Sequence, residues 1–103
     1  MKNTATQAAL KTAGDDIRTA RLRRGWSQAE LARRAGITEK TLRKVERDPA
    51  TVSLGIYADV LGVLGMVERL AMVADPSADE LGLALERRDR PQRVRRRVPD
   101  NNF

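Results

Sequence analysis

The chain has 103 residues, with 20 Lys and Arg against 14 Asp and Glu for a formal net charge of +6, and is 41% apolar but only 3% aromatic. One small domain with an aliphatic core and tails is therefore expected, rather than two. Cysteine and histidine are absent, which excludes a disulfide framework, a thiolate metal site, and the commonest general base and zinc ligand; no catalytic residue, metal or cofactor is assigned. No apolar run approaches the length of a bilayer span, and the opening MKNTATQAAL lacks the apolar block of a secretion signal, so a soluble cytoplasmic protein without a membrane partner is expected.

Residues 1–14 are polar and alanine-rich and read as an N-terminal tail, either a frayed helix or disordered, with no role assigned. From Asp15 the pattern turns helical: Asp15 and Asp16 suit the positive end of a helix, Ile17, Ala20 and Arg21 share one face, and Gly25 ends it. Trp26, the one tryptophan, reads as a core plug rather than an exposed stacking residue. Arg18, Arg23 and Arg24 fit backbone phosphate and plain solvation equally well.

Ser27 is an N-cap, and Glu30 three residues on completes a capping box, which starts a second helix at Gln28. Ala29, Leu31, Ala32 and Ala35 give it a small apolar face, and Gly36 suits the left-handed residue that ends a helix. Ile37 packs back on that helix. Thr38 then caps a third, with Thr41, Leu42 and Val45 on its buried face and Glu39, Lys40, Arg43, Lys44 and Arg47 on the other.

Asp48-Pro49 breaks the chain into a loop that runs through Thr51. Ser53 or Thr51 caps a fourth helix with Leu54, Tyr57, Ala58, Leu61 and Leu64 inward. Past Gly62 and Gly65, Met66, Leu70 and Val73 recur at helical spacing in a fifth helix ending near Asp75-Pro76, with more apolar surface than a four-helix core needs. Ser77 with Glu80 forms a second possible capping box, and Leu81, Leu83 and Leu85 alternate in a way that fits a strand as well as a poor helix. The arginine run from Arg87 to Arg97 cannot bury enough apolar surface to fold alone and is expected to be disordered.

Charge is segregated along this series. Residues 18–47 hold ten basic and three acidic side chains, residues 48–86 one basic and seven acidic, and residues 87–103 seven arginines and two aspartates. The first basic block coincides with the second and third helices, which is the footprint of a phosphate-binding face.

Two short helices joined by a hinge of about three residues, the second one basic, make a helix-turn-helix. In Gln28-Ala29-Glu30-Leu31-Ala32, Ala35-Gly36-Ile37, Thr41-Leu42 and Val45-Glu46 the chain resembles the lambda-repressor-like, Xre and Cro type family of DNA-binding proteins. The resemblance covers roughly residues 15–64 and implies an all-α fold, a compact bundle of about five helices with flexible N- and C-terminal tails. Domain boundaries of 1–14, 15–75 and 76–103 are expected. It implies that Gln28 bonds a phosphate or supports the base-reading layer, and that Glu39, Lys40, Arg43 and Lys44 face bases or flanking phosphates. Ser27, Thr38 and Thr41 join that DNA-facing set. So does Arg47, which with the amides of Thr51 and Val52 is a phosphate contact in the loop that lies along the backbone in relatives. Glu39 stands where several relatives carry glutamine, so amide readout of adenine is replaced by a carboxylate that accepts from cytosine N4 or orients Lys40. Arg21 and Glu46 correspond to an ion pair tying the first helix to the recognition helix. Relatives commonly pair through C-terminal helices, which makes Met66, Leu70 and Val73 the dimer candidates.

In size, in VSLGIYADVLGVLG, and in LGLALE before a basic tail, the chain is also similar to antitoxins that accompany HipA-type kinases. The expected function is a sequence-specific, dimeric transcriptional regulator, a repressor, on a palindromic double-stranded operator. An autoregulating antitoxin with a kinase-like toxin partner is the finer form of that reading. The alternative is an interaction protein that mainly neutralises a toxin. An enzyme is not expected, because no His, Cys or phosphate-cradling Gly loop is present.

Overall fold

Asn3 starts the first helix by accepting a hydrogen bond from the Thr6 amide at 3.1 Å. The computed structural model describes residues 3–89, and every regular element among them is helical. The order is α1 (Thr4–Arg23), α2 (Gln28–Ala35), α3 (Glu39–Arg47), a 3-10 turn (Pro49–Thr51), α4 (Leu54–Leu64), α5 (Val67–Ala71), a second 3-10 turn (Pro76–Ala78) and α6 (Glu80–Asp89).

Residues 4–14, expected as a tail, are thus the first half of α1. The reasons are local: a cap at Asn3, good helix formers at Ala5, Ala8, Ala9 and Ala13, and a Lys11–Asp15 pair one turn apart at 3.4 Å. Asp15 and Asp16 lie in mid-helix as a result. The helix ends where expected, with Gly25 left-handed at φ 71°. Its buried stripe is Gly14, Ile17, Ala20 and Arg21. Gly14 is where α1 crosses α3, and a Cβ there would collide with the Glu46 carbonyl oxygen and lie 3.1 Å from that of Val45.

Ser27 caps α2 by accepting from the Glu30 amide at 3.0 Å. The reciprocal half of the box does not form, because the Glu30 carboxylate turns to Arg33 and Arg34, each at 2.6 Å. These guanidiniums, Arg33's hydrogen bond first, hold the Glu30 carboxyl below the usual carboxylate range. Gly36 is left-handed at φ 69°, and the Ile37 amide reaches back to the Ala32 carbonyl at 3.0 Å, closing the hinge as a Schellman turn. Ala29, expected on the apolar face, is exposed, whereas Leu31 and Ala32 are buried in the core and Ala35 packs half-buried against it.

Leu31, Leu42, Val45 and Val60 are wholly enclosed, with Ile17, Ala20, Ala32, Leu61 and Leu64 around them. At about 1.5–3 kcal/mol for each large aliphatic side chain taken from water, this cluster is the main term holding α1 to α4 together. The segment after Asp48 is a 3-10 turn with Pro49 buried, rather than an open loop. Ser53, not Thr51, caps α4 through the Ile56 amide at 3.1 Å. Leu54 is 67% exposed because it sits at the first position of α4, beyond the edge of the core; the inward stripe is Val60, Leu61 and Leu64, with Ile56, Tyr57 and Ala58 half-buried. The Tyr57 hydroxyl donates to the Ala13 carbonyl at 3.4 Å, and burial, with Asp16's charge, pushes its ionisation above the usual phenol range. Arg24 ties the ends of α1 and α4 by donating to the Ala20 carbonyl at 2.8 Å and the Leu64 carbonyl at 3.0 Å.

The fifth helix stops at Ala71 instead of running to Asp75. Met66 precedes it and, with Leu70, packs half-buried on the core, whereas Met72 and Val73 are 62% and 74% exposed. With no apolar surface to cover beyond Leu70, nothing supports a further turn.

Contacts divide the chain into one unit ending at Leu70 and another starting at Ala71. In the second, the Asp75 carboxylate accepts from the Ser77 amide and hydroxyl, both at 2.9 Å, which lowers its ionisation. Ser77 therefore caps nothing downstream. Asp79 caps α6 instead, through the Gly82 amide at 3.0 Å, and Leu81, Leu83 and Leu85 lie on a helix rather than a strand. Arg87 and Arg88 close α6, and the rest of the arginine run, from Arg90 on, lies outside the described residues.

Candidate nucleic-acid interface

The third helix is held by its buried side so that its other side faces outward. Leu42 and Val45 are fully buried on α3, and Glu39, Lys40, Arg43, Lys44 and Arg47 are all exposed. Thr38 caps the helix by accepting from the Thr41 amide at 3.1 Å, and its hydroxyl donates to that of Thr41 at 2.9 Å. The hydroxyls of Ser27 and Thr38 are thereby committed to the starts of α2 and α3, where they orient both helices.

Behind α3 stands a buried polar frame. Arg21 grips Glu46 in a fork, Nε to Oε2 at 2.7 Å and Nη2 to Oε1 at 3.1 Å, and its Nη1 donates to the Trp26 carbonyl at 2.9 Å. Gln28 adds a third bond, its Nε2 donating to Glu46 Oε1 at 3.1 Å. Both members of the ion pair are buried, so the helix register is fixed by charge-assisted bonds in a dry setting. Gln28, half-buried, thus braces α3 from behind through Glu46. The Gln28 bond and the stacking of Arg34 over Trp26 at 4.3 Å from the ring centroid went unread in the sequence. An arginine eight residues after a tryptophan across a helix start is the only signal the second leaves.

On the exposed face, Glu39 pairs with Arg43 at 3.4 Å, one turn along, rather than with Lys40. Acceptor and donor are presented side by side, half-exposed. Between α1, α2 and α3 lies a cleft of about 310 Å³, lined by Lys11, Asp15 and Arg18, by Gln28, and by Arg43, Glu46 and Arg47. Of the three arginines left open by sequence, Arg18 lines this cleft, Arg24 is spent on carbonyls, and Arg23 is exposed without lining it. The amides of Thr51 and Val52 are not free donors: they bond the carbonyls of Asp48 and Pro49 at 3.0 and 3.2 Å, as the 3-10 turn demands.

Among the described residues no group of acidic side chains is placed to hold a metal ion, and no helix is long and apolar enough to cross a membrane. Compared with known families, residues 17–69 match the family model described as helix-turn-helix. Neither the curated proteins nor the solved structures gave a match.

Proposed function

Because this chain belongs to the helix-turn-helix family of DNA-binding transcriptional regulators, we propose that it is a sequence-specific repressor, acting as a homodimer on a palindromic operator. The observation that carries this reading is the exposed face of α3, where Glu39, Lys40, Arg43, Lys44 and Arg47 stand on a helix whose opposite side is clamped through Glu46. Laid in the major groove, Arg43 and Lys44 reach guanine N7 and O6, Glu39 accepts from cytosine N4, and Lys40 and Arg47 meet phosphates. The test is selection of a binding site from randomised duplexes, followed by titration of wild type and an Arg43→Ala/Lys44→Ala variant on the selected and a scrambled site. The expected loss is about 1–3 kcal/mol per base contact on the selected site, with a smaller loss on the scrambled one. Equal affinity of both proteins for the selected site removes the assignment.

A second reading is favoured by α6, which exposes Leu81 (70%) and Leu85 (40%) one turn apart. Such a stripe fits a protein partner, and in this reading the repressor is the autoregulating antitoxin of a kinase-like toxin. A full chain that does not capture the product of the neighbouring open reading frame removes this reading, and a chain truncated after Ala78 that still captures it moves the contact away from α6.

A further inference from the structure

The half of α1 that precedes the family match brings a lysine to the side of the recognition helix, and nothing assigns it a task. Lys11 and Arg18 are seven residues apart, two helical turns, and so lie on one face of α1. Gly14, lying between them, lets α1 come down onto the Glu46 carbonyl, and this close crossing sets Lys11 beside the C-terminal end of α3. There Lys11 and Arg47 line two adjoining hollows, the cleft of about 310 Å³ and a second of about 500 Å³ that continues along Asp48, Pro49 and Ala50.

The charge in the first cleft is unbalanced. Lys11, Arg18, Arg43 and Arg47 line it against Asp15 and Glu46. Glu46 is buried and already accepts from Arg21 and Gln28, and Asp15 is an exposed partner of Lys11 alone, a pair that solvent screens to little. Arg43 is drawn to Glu39 at 3.4 Å, so the donors that face this space open to water are Lys11, Arg18 and Arg47.

We propose that Lys11, with Arg18 and Arg47, holds a phosphodiester of the DNA backbone, making the first half of α1 a clamp beside α3. This rests on the DNA-binding reading, because Arg43 belongs both to the cleft and to the exposed face of α3, so a duplex bound by that face runs its backbone past the cleft. Phosphate contacts of this kind position a protein without reading sequence.

Lys11→Gln in the full chain tests it, since a side chain 77% exposed leaves the fold intact, as an unchanged thermal midpoint will verify. Removing one phosphate contact flattens the plot of log affinity against log salt by about 0.9, and it does so equally for the selected and the scrambled site. Arg69→Gln, an exposed position on α5 that lines neither hollow, keeps the wild-type slope. A wild-type slope for Lys11→Gln overturns the clamp, as does an equal fall in Arg69→Gln, which signals bulk charge. Inorganic phosphate titrated at constant ionic strength separates the other source: saturation that depends on Lys11, with no change in the DNA slope, makes the cleft a free-anion site and overturns the assignment. Wild-type protein that binds no duplex removes the DNA-binding reading itself, and the clamp with it.

Discussion

Glu46 shows how one side chain can join the fold to its task. Its carboxylate takes a forked bond from Arg21 on α1 and a third bond from Gln28 at the start of α2, while its own helix carries the exposed basic face. All three helices of the site meet at two oxygens. Deleting one member of a buried pair leaves the other charge dry and unpaired, so Glu46→Ala is expected to cost about 3–5 kcal/mol in urea denaturation followed by helical circular dichroism. Replacing both partners, as in Arg21→Met/Glu46→Leu, is expected to recover most of that stability but to loosen α3 on α1. A wild-type midpoint for Glu46→Ala would show that the pair contributes nothing. The pairing was legible only through family resemblance, because a separation of 25 positions between Arg21 and Glu46 carries no physical signal of contact. Gln28 was legible as a polar support but not as a donor to Glu46, and the Glu39–Arg43 pair was missed although its spacing of four announced it.

At the scale of elements, the sequence marked α2, its hinge and α3 to the residue, because each boundary has a cap whose chemistry is local: Ser27, Gly36 and Thr38. It failed where the deciding term was remote. The first helix begins at Thr4 rather than Asp15 since alanines weigh little in a search for an apolar stripe, and the stripe that counts includes Gly14, whose value is its lack of a side chain. Gly14→Ala tests this directly. Helix propensity alone predicts a gain of about 0.5–1 kcal/mol, but the new methyl meets the Glu46 backbone and α1 must lift from α3. Overpacking of that kind costs about 1–3 kcal/mol, so the net is a lower melting temperature, with DNA affinity reduced as α3 shifts. A variant more stable than wild type would mean that the crossing is looser than the structure describes. At α5 the error ran the other way: Val73 keeps the spacing of Met66 and Leu70, yet spacing does not say whether there is a surface to cover.

At the scale of the whole chain, charge and apolar surface divide the labour. The basic block of residues 18–47 is followed by the acidic residues 48–86 and then by the arginine-rich residues 87–103, so attraction to phosphate is concentrated in two separate stretches of the chain. One α3 covers about one half-site, and a palindrome needs two of them about 34 Å apart, which calls for a self-complementary patch on each copy. Met66 and Leu70 pack half-buried on their own core, so they offer only an outer edge, and Val67, 40% exposed between them, is the large apolar side chain of that helix most open to a partner. Sedimentation of the full chain on the order of tens of micromolar is expected to give a dimer. Val67→Lys, which buries no charge in the monomer, is expected to shift it to monomer and to weaken binding to a palindrome more than to a single half-site. If wild type sediments as a monomer both with and without operator DNA, the symmetric arrangement is wrong. A dimer that survives Val67→Lys moves the pairing surface away from α5.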